Sequence, residues 1–292
     1  MPISKQSKSS NFLQKNILFF NLHILNSIND LNQFLRSFED INFVPTMGNL
    51  HAGHLKLVSE ANKFNGATLT SIYVNPLQFA PNEDLDIYPR TLDQDLIKLE
   101  KISCDALFCP EPDFASNAIR LSANPMLSNK LCGISRPHFF DGVITILNHF
   151  FQLIRPNNVF FGLKDYQQYL VVKDFLSNSN LNIDIHGVPT QREIDGLAMS
   201  SRNNLMSAEQ RLNAKHLSII LKEIAQRAHH ECLKDLKTEA IKRLEELNFD
   251  VDYLLFCNST TLEELTEFES NSIVAIAAKH GDVRLIDNFI IN

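Results

Sequence analysis

Apolar positions along the chain fall into two regimes, with a change of character near residue 190. In the first regime, short apolar-rich runs at residues 41–44, 67–74, 105–108, 158–161 and 182–188 read as strands. Between them, apolar residues recur at helical spacing. Ile28, Leu31, Phe34 and Leu35 mark a helix over 27–38, and Leu57, Val58, Ala61 and Phe64 mark another. Thr91 with Gln94 has the form of a capping box and opens a helix through Leu96 and Leu99. Residues 142–154 and 165–176 complete the set. Strands alternating with helices predict an α/β fold with a doubly wound parallel, Rossmann-like sheet over residues 17–189.

Beyond Pro189 the order changes. Ser207 and Gln210 form a second capping box ahead of a long helix to about residue 229, and a stripe of Leu236, Ala240, Leu244 and Leu247 marks a helix over 233–247. Residues 249–256 alternate as a strand, and 273–278 with 283–286 read as a hairpin. Residues 190–292 are therefore expected to form a smaller α+β lid domain. Residues 1–16 are Ser- and Lys-rich and read as a disordered arm, with a first strand or edge element at 17–20.

Composition narrows the function classes. The 292 residues are 44% hydrophobic and 21% charged, with a net charge of −7 and a pI near 5.8. That balance argues against broad nucleic-acid binding, which favours a basic face, while leaving an anionic substrate open. Five scattered cysteines without a Cys-x-x-Cys read as free thiols in a reducing compartment. Lys5, Lys8 and Lys15 precede an apolar run at 17–20, but Asn21, His23 and Asn26 interrupt it and no small-residue cleavage site follows. No run reaches membrane-spanning length, so a cytoplasmic location is expected.

Candidate chemistry concentrates at strand ends. Pro45-Thr46-Met47-Gly48-Asn49-Leu50-His51-Ala52-Gly53-His54 joins the strand at 41–44 to the next helix. A glycine-bearing turn opening a helix beyond the carboxyl end of a strand is where an open α/β sheet holds anions, and two histidines sit beside it. Taken singly, Gly48 and Gly53 could be turn glycines and each histidine structural, and no third ligand completes a zinc set around the pair. Three other stretches add suitable groups. Asn75-Pro76-Leu77-Gln78-Phe79 offers a carboxamide for a hydroxyl or carboxylate. Phe161-Gly162-Leu163-Lys164-Asp165-Tyr166-Gln167-Gln168 offers a cation at a helix start, with Gln168 one turn on. Gly196-Leu197-Ala198-Met199-Ser200-Ser201-Arg202-Asn203 offers two hydroxyls and a guanidinium suited to phosphate. His229-His230 with Cys232, and the Glu263-Glu264 and Glu267–Glu269 clusters, read as solvated surface.

Together with Tyr88-Pro89-Arg90-Thr91, these stretches stand in the order and spacing of the pantothenate synthetase (pantoate–β-alanine ligase) family, which the chain resembles over about residues 17–290. The His-x-Gly-His piece alone would indicate only the wider nucleotidyltransferase superfamily. The resemblance implies ATP-dependent condensation of pantoate with β-alanine through a pantoyl adenylate, with release of pyrophosphate and AMP. It places Met47, Gly48, Asn49, Leu50, His51, Ala52, Gly53 and His54 around ATP, with His54 as proton donor. Gly162, Leu163, Lys164, Asp165, Gln191, Met199, Ser200, Ser201 and Arg202 would complete the ATP site, and Lys164, Ser201 and Arg202 would grip its phosphates. Gln78 and Gln168 would bind pantoate, with Gln78 also placing β-alanine. Mg²⁺ bridging the phosphates and a homodimer built through the first domain are further implications.

The chain departs from the family pattern at four places. Leu163 replaces a Glu or Gln, Gln191 replaces a valine beside adenine, and His149 replaces a lysine. Arg136-Pro137-His138-Phe139-Phe140 stands for Arg-Pro-Gly-His-Phe. Two other readings of the same residues are a related nucleotidyltransferase acting on a phosphate ester and a non-catalytic nucleotide-binding regulator. The first would not need paired glutamines, and the intact His54, Lys164 and Arg202 set opposes the second.

Overall fold

The structure, a computed structural model, describes residues 22–80, 83 and 85–291. The arm at 1–16 and the apolar run at 17–20 lie outside the described residues. Six parallel strands form the main sheet: β1 (His23–Leu25), β2 (Ile41–Thr46), β3 (Ala67–Ile72), β4 (Ala106–Phe108), β5 (Asn158–Gly162) and β6 (Asp184–Val188). Their spatial order is β1-β4-β3-β2-β5-β6. Winding runs outward from β2 through β3 to β4, then resumes on the other side with β5 and β6. The switch therefore falls between β2 and β5, whose Asn42 and Phe43 pair with Asn158 and Val159. In an open parallel sheet, that crevice is the ligand site.

Helices cover both faces: α1 (Ile28–Leu35), α2 (Ala52–Ala61), α3 (Leu92–Lys101), short turns α4 (Pro125–Ser128) and α5 (Cys132–Ser135), then α6 (Phe139–Ile154) and α7 (Tyr166–Ser177). The pleat sends neighbouring strand residues to opposite layers. Phe43, Phe108 and Phe161 join the core under α6 with Ile144, Phe150 and Phe151. Val44, Leu107 and Phe160 face Leu57, Val58 and Ala61 of α2 and Leu99 of α3. Burying each such side chain is worth about 1.5–3 kcal/mol. This double covering is why the strands read as apolar runs instead of alternating patterns.

The second half carries α8 (Ala208–Arg227), α9 (Leu233–Glu245) and an antiparallel sheet of β7 (Phe249–Asn258), β8 (Ser272–His280) and β9 (Val283–Ile291). The helices pack on one face of this sheet. From its other face Cys257, Ile273 and Ala275 join the core of the main sheet. The Ser207–Gln210 capping box forms in both directions.

Several predicted boundaries move. The helix expected at 27–38 ends at Leu35, α6 starts three residues before Gly142, and β9 runs five residues past 286 to Ile291. Thr91 does not form the capping box with Gln94. Its hydroxyl donates instead to the Asp95 carboxylate at 3.1 Å, one turn into α3, which is the stronger acceptor.

One close approach fixes the site floor. A Cβ on Gly142 would overlap the Leu77 carbonyl oxygen and stand 2.8 Å from the Gln78 nitrogen, so α6 packs directly on the Asn75–Phe79 turn. Gly142→Ala is predicted to cost about 1–3 kcal/mol as an overpacked contact, read as a lowered thermal midpoint. An unchanged midpoint would show that the turn yields freely.

Candidate active site

The turn after β2 is built by its own backbone. Thr46 donates its hydroxyl to the Ser71 carbonyl at 2.7 Å and accepts from the Gly48 N–H at 3.2 Å. Gly48 (φ +81°) and Asn49 (φ +49°) are both left-handed, which turns the chain sharply toward α2. Glycine meets this need at Gly48, where a Cβ would also press within 3.0 Å of Ile72. The Asn49 and Leu50 amides both donate at 2.8 Å to the two oxygens of Asp95, whose side chain is wholly buried. Lys98 closes the arrangement through the Leu50 carbonyl at 2.7 Å.

The helix that follows starts on two histidines. His51 is the N-cap of α2, its ring accepting at Nδ1 from the Gly53 N–H at 3.1 Å. His54 returns the contact, accepting at Nδ1 from the His51 N–H at 3.3 Å. The rings pack 4.1 Å apart. A Cβ on Gly53 would lie 2.8 Å from the His51 ring, so this capping needs glycine there. With Nδ1 occupied as an acceptor, a neutral ring carries its proton on Nε2. Burial and then the Lys164 charge push the His51 imidazole down to about 4. Burial, His51 and Lys164 lower His54 well below its ordinary value. Both rings therefore favour the neutral form near pH 7, each with an Nε2–H free to donate.

A cavity of about 1080 Å³ opens at the switch point between β2 and β5. Met47, His51, Gly53 and His54 line it from the β2 side, Gly162, Lys164, Asp165 and Gln168 from the β5 side. Gln191, Met199, Ser200, Ser201 and Arg202 line it from the loop ahead of α8, and Gln78 from the turn after β3. Gly48, Asn49, Leu50, Ala52 and Leu163 are not among its lining residues. The first four shape the turn and the helix start. Leu163 lies against Gly187 of β6, and its carbonyl accepts from Asn288 at 2.9 Å, so its contribution is a backbone one. The Ser200–Arg202 loop is tied to the turn, with Ser201 donating its hydroxyl to the Asn49 carbonyl at 3.2 Å and Ser200 capping the Arg202 N–H.

The consecutive glutamines do different jobs. Gln167 is buried, donating to the Leu127 and Lys130 carbonyls and accepting from the Cys132 N–H at 3.0 Å. Gln168 faces the cavity. Gln78 has its carboxamide oxygen held at 3.0 Å by Asn75, itself buried and bonded to the Gly142 carbonyl. With its oxygen engaged, Gln78 has its NH₂ left to serve a ligand in the cavity it lines. Sequence reasoning assigned no role to Asn75, Asp95 or Arg136. Arg136 lines the cavity, donating from Nε and Nη2 to the two Glu83 oxygens at 2.6 Å, with its plane 3.8 Å over the Phe139 ring.

The other departures also have physical places. His138 sits at φ +66°, the conformation that a glycine takes without strain, with its side chain in solvent. His149 packs against Phe114 at 4.5 Å. Gln191 accepts at its carbonyl from the Met199 N–H at 3.0 Å, and its side chain is exposed.

A parallel sheet whose switch-point cavity joins a histidine-capped helix start, a lysine and a Ser-Ser-Arg loop defines an α/β nucleotide-binding enzyme. Family comparison is more specific. The family model for pantoate–β-alanine ligase matches residues 23–290. A pantothenate synthetase from Methylobacillus flagellatus is 40% identical over 272 residues, covering 91% of this chain and 98% of that one. A crystal structure of pantothenate synthetase from Thermus thermophilus superposes with a TM-score of 0.88 at 35% identity, covering 92% of this chain and 99% of that one. The Francisella tularensis pantoate–β-alanine ligase, solved in complex with β-γ ATP and β-alanine, gives a TM-score of 0.78 at 31% identity, covering 92% and 97%. The chain belongs to the pantoate–β-alanine ligase family.

Two predictions follow from the site chemistry. An unfolded His51 takes up a proton near pH 6.5, whereas the folded one stays neutral to about 4. Between those values unfolding binds a proton, so this residue's effect on stability is neutral above about pH 6.5 and turns against the fold as pH falls toward 4. The His51 ring resonances are thus predicted to stay fixed from pH 8 to 6 and to move only below about 5; an ordinary titration midpoint would refute the neutral-donor assignment. For the glutamines, Gln167→Ala is predicted to lose about 1–3 kcal/mol of stability through its unsatisfied partners. Gln168→Ala should leave the thermal midpoint within about 1 °C, given surface-like effects below about 0.5 kcal/mol, while raising KM for the acid substrate.

Proposed function

We propose that this protein condenses pantoate with β-alanine at the expense of ATP, forming pantothenate, AMP and pyrophosphate through a pantoyl adenylate. The observation that carries the proposal is one cavity in which His51, His54, Lys164 and the Ser200–Arg202 loop stand with two carboxamides, Gln78 and Gln168. A carboxylate resists attack by an amine because oxide is a poor leaving group. Attack of the pantoate carboxylate on the α-phosphorus forms the acyl–phosphate bond and breaks the bond to pyrophosphate. The β-alanine nitrogen then attacks the acyl carbon, the bond to AMP breaks, and the amine proton goes to solvent.

The protein's share is positioning and electrostatics. Neutral Nε2–H groups of His51 and His54 donate to phosphate oxygens, and the Lys164 ammonium offsets charge building on the departing pyrophosphate. Ser200, Ser201 and Arg202 hold the β and γ phosphates, with Met47, Gly162, Asp165, Gln191 and Met199 around the nucleotide. Gln78 and Gln168 orient pantoate, Gln78 with its oxygen already held by Asn75. Among the described residues no group of three or more His, Cys, Asp or Glu could hold a metal. Mg²⁺, which takes phosphate oxygens more often than dedicated protein cages, would neutralise charge on the triphosphate. A homodimer and a cytoplasmic location accompany the proposal as family traits, and no helix among the described residues is long and apolar enough to cross a membrane.

The competing reading, nucleotide transfer to a phosphate ester, would not need Gln78 and Gln168 and would favour further cations for a second phosphate. Purified protein with ATP and Mg²⁺ should release pyrophosphate in proportion to added pantoate, and AMP with pantothenate once β-alanine is present. Pyrophosphate release no faster with pantoate than without it would exclude the ligase. His54→Ala should lower adenylation at least a hundredfold, in keeping with the loss of one preorganised donor at developing charge; unchanged turnover would remove its assigned role.

A further inference from the structure

The segment that presents Lys164 has little of its own to hold it still. Leu163–Asp165 is a single 3-10 turn between β5 and α7, and neither Gly162 nor Asp165 makes a side-chain capping bond. A Cβ on Gly162 would meet nothing within 4 Å. The restraint arrives from the far end of the chain. Asn288 on β9 donates both hydrogens of its carboxamide, one to the Leu163 carbonyl and one to the Lys164 carbonyl, each at 2.9 Å. Asn288 is itself 92% removed from solvent, with 8% exposure, so these bonds are not in competition with bulk water.

Its neighbour holds the other nucleotide loop. Asp287 points to the opposite side of the strand, as strand geometry requires. Its wholly buried carboxylate grips Arg192 with both arms, at 2.7 and 2.9 Å, and accepts from the Ser218 hydroxyl. Arg192 in turn donates to the Gly196 carbonyl at 3.1 Å and pairs with Ala198 as an antiparallel bridge. The loop held this way continues directly into Met199, Ser200, Ser201 and Arg202. The Asn288 N–H donates to the Asp287 carboxylate at 2.8 Å, so the two grips share one short piece of strand.

We propose that Asp287 and Asn288 are positioning residues that set the Lys164 turn and the Ser200–Arg202 loop in register for the triphosphate. The inference rests on the reading of those two segments as phosphate-binding. Both border the cavity, but their side chains are spent on Arg192, Ser218 and the Leu163 and Lys164 carbonyls, so they act through the backbones of groups that would touch the phosphates. Losing Asn288 would free the Lys164 turn and weaken the hold on ATP. It would spare the second half-reaction, in which the triphosphate has already gone.

The test uses the full chain with Asn288→Ala and Asn288→Asp, the second keeping the shape and removing the donor. Three quantities are read: the affinity for ATP by calorimetry, the steady-state KM and kcat, and the rate of pantothenate formation from supplied pantoyl adenylate and β-alanine. Both variants should bind ATP about tenfold more weakly, a change of about 1.4 kcal/mol. KM for ATP should rise in parallel, KM for pantoate should stay within about twofold, and the step from supplied adenylate should be unchanged. Wild-type ATP affinity in either folded variant overturns the proposal. So does equal loss in both half-reactions, which is the pattern of a residue that only stabilises the fold. The calorimetric arm does not depend on turnover. Wild-type protein that binds ATP but fails to release pyrophosphate with pantoate would therefore sink the ligase reading without touching this one.

Discussion

The active-site turn depends on one buried carboxylate. Where β2 ends, the chain must leave a parallel sheet and enter a helix within a few residues, and its amides lose their ladder partners. Asp95 supplies what the sheet no longer can, accepting from the Asn49 and Leu50 amides with its two oxygens. Hydrogen bonds to a charged group are worth about 1.5–3 kcal/mol each, and burying that charge is tolerable only because Thr91 and Lys98 complete its partners. The left-handed Gly48–Asn49 pair, the aim of α2 and the placing of both histidine rings follow from this anchor. Asp95 belongs to α3, so the turn after one strand is held by the helix that follows the next.

The fold was legible where burial is double-sided. Apolar runs at β2, β3, β4 and β5 are long enough to announce parallel strands, and the intervening helical spacing leaves few other ways to cover them. Boundaries were less legible, because they are set by partners distant in sequence. Thr91 has the local signature of a capping residue and the observed role of an Asp95 ligand, and nothing in the local pattern separates the two. β1 is three residues long at the sheet edge with two of them exposed, so it leaves no apolar run to read.

The site was legible in its motifs and illegible in its supports. The histidine turn and Lys164 meet the Ser200–Arg202 loop in one cavity, as the strand-end positions of the first two implied. Gln167 and Gln168 could not be told apart by type or position, since only packing shows that the first is spent on the backbone of residues 127–132. Asn75 and Arg136 lay in stretches marked for other residues or for a departure, Asp287 and Asn288 in ordinary-looking ones, and their partners lie as much as 125 residues away. The departures at Leu163 and His138 concern places where the backbone does the work, one through a carbonyl and one through a left-handed dihedral. A change of side chain there leaves the cavity wall as it was.

The mutual capping of His51 and His54 has a consequence for how the enzyme would meet changes in acidity. A phosphate site that relies on an imidazolium weakens as the ring sheds its proton near neutrality. Here each ring accepts a backbone N–H at Nδ1, and burial lowers both imidazoles, His51 to about 4, so the rings would offer the triphosphate neutral Nε2–H donors. The group left to titrate in the reaction is the substrate's own: an alkyl amine of lysine-like basicity is almost wholly protonated at pH 7, and only its scarce free form is a nucleophile. On the proposed reaction, the sensitivity of turnover to pH would then rest with the β-alanine amine.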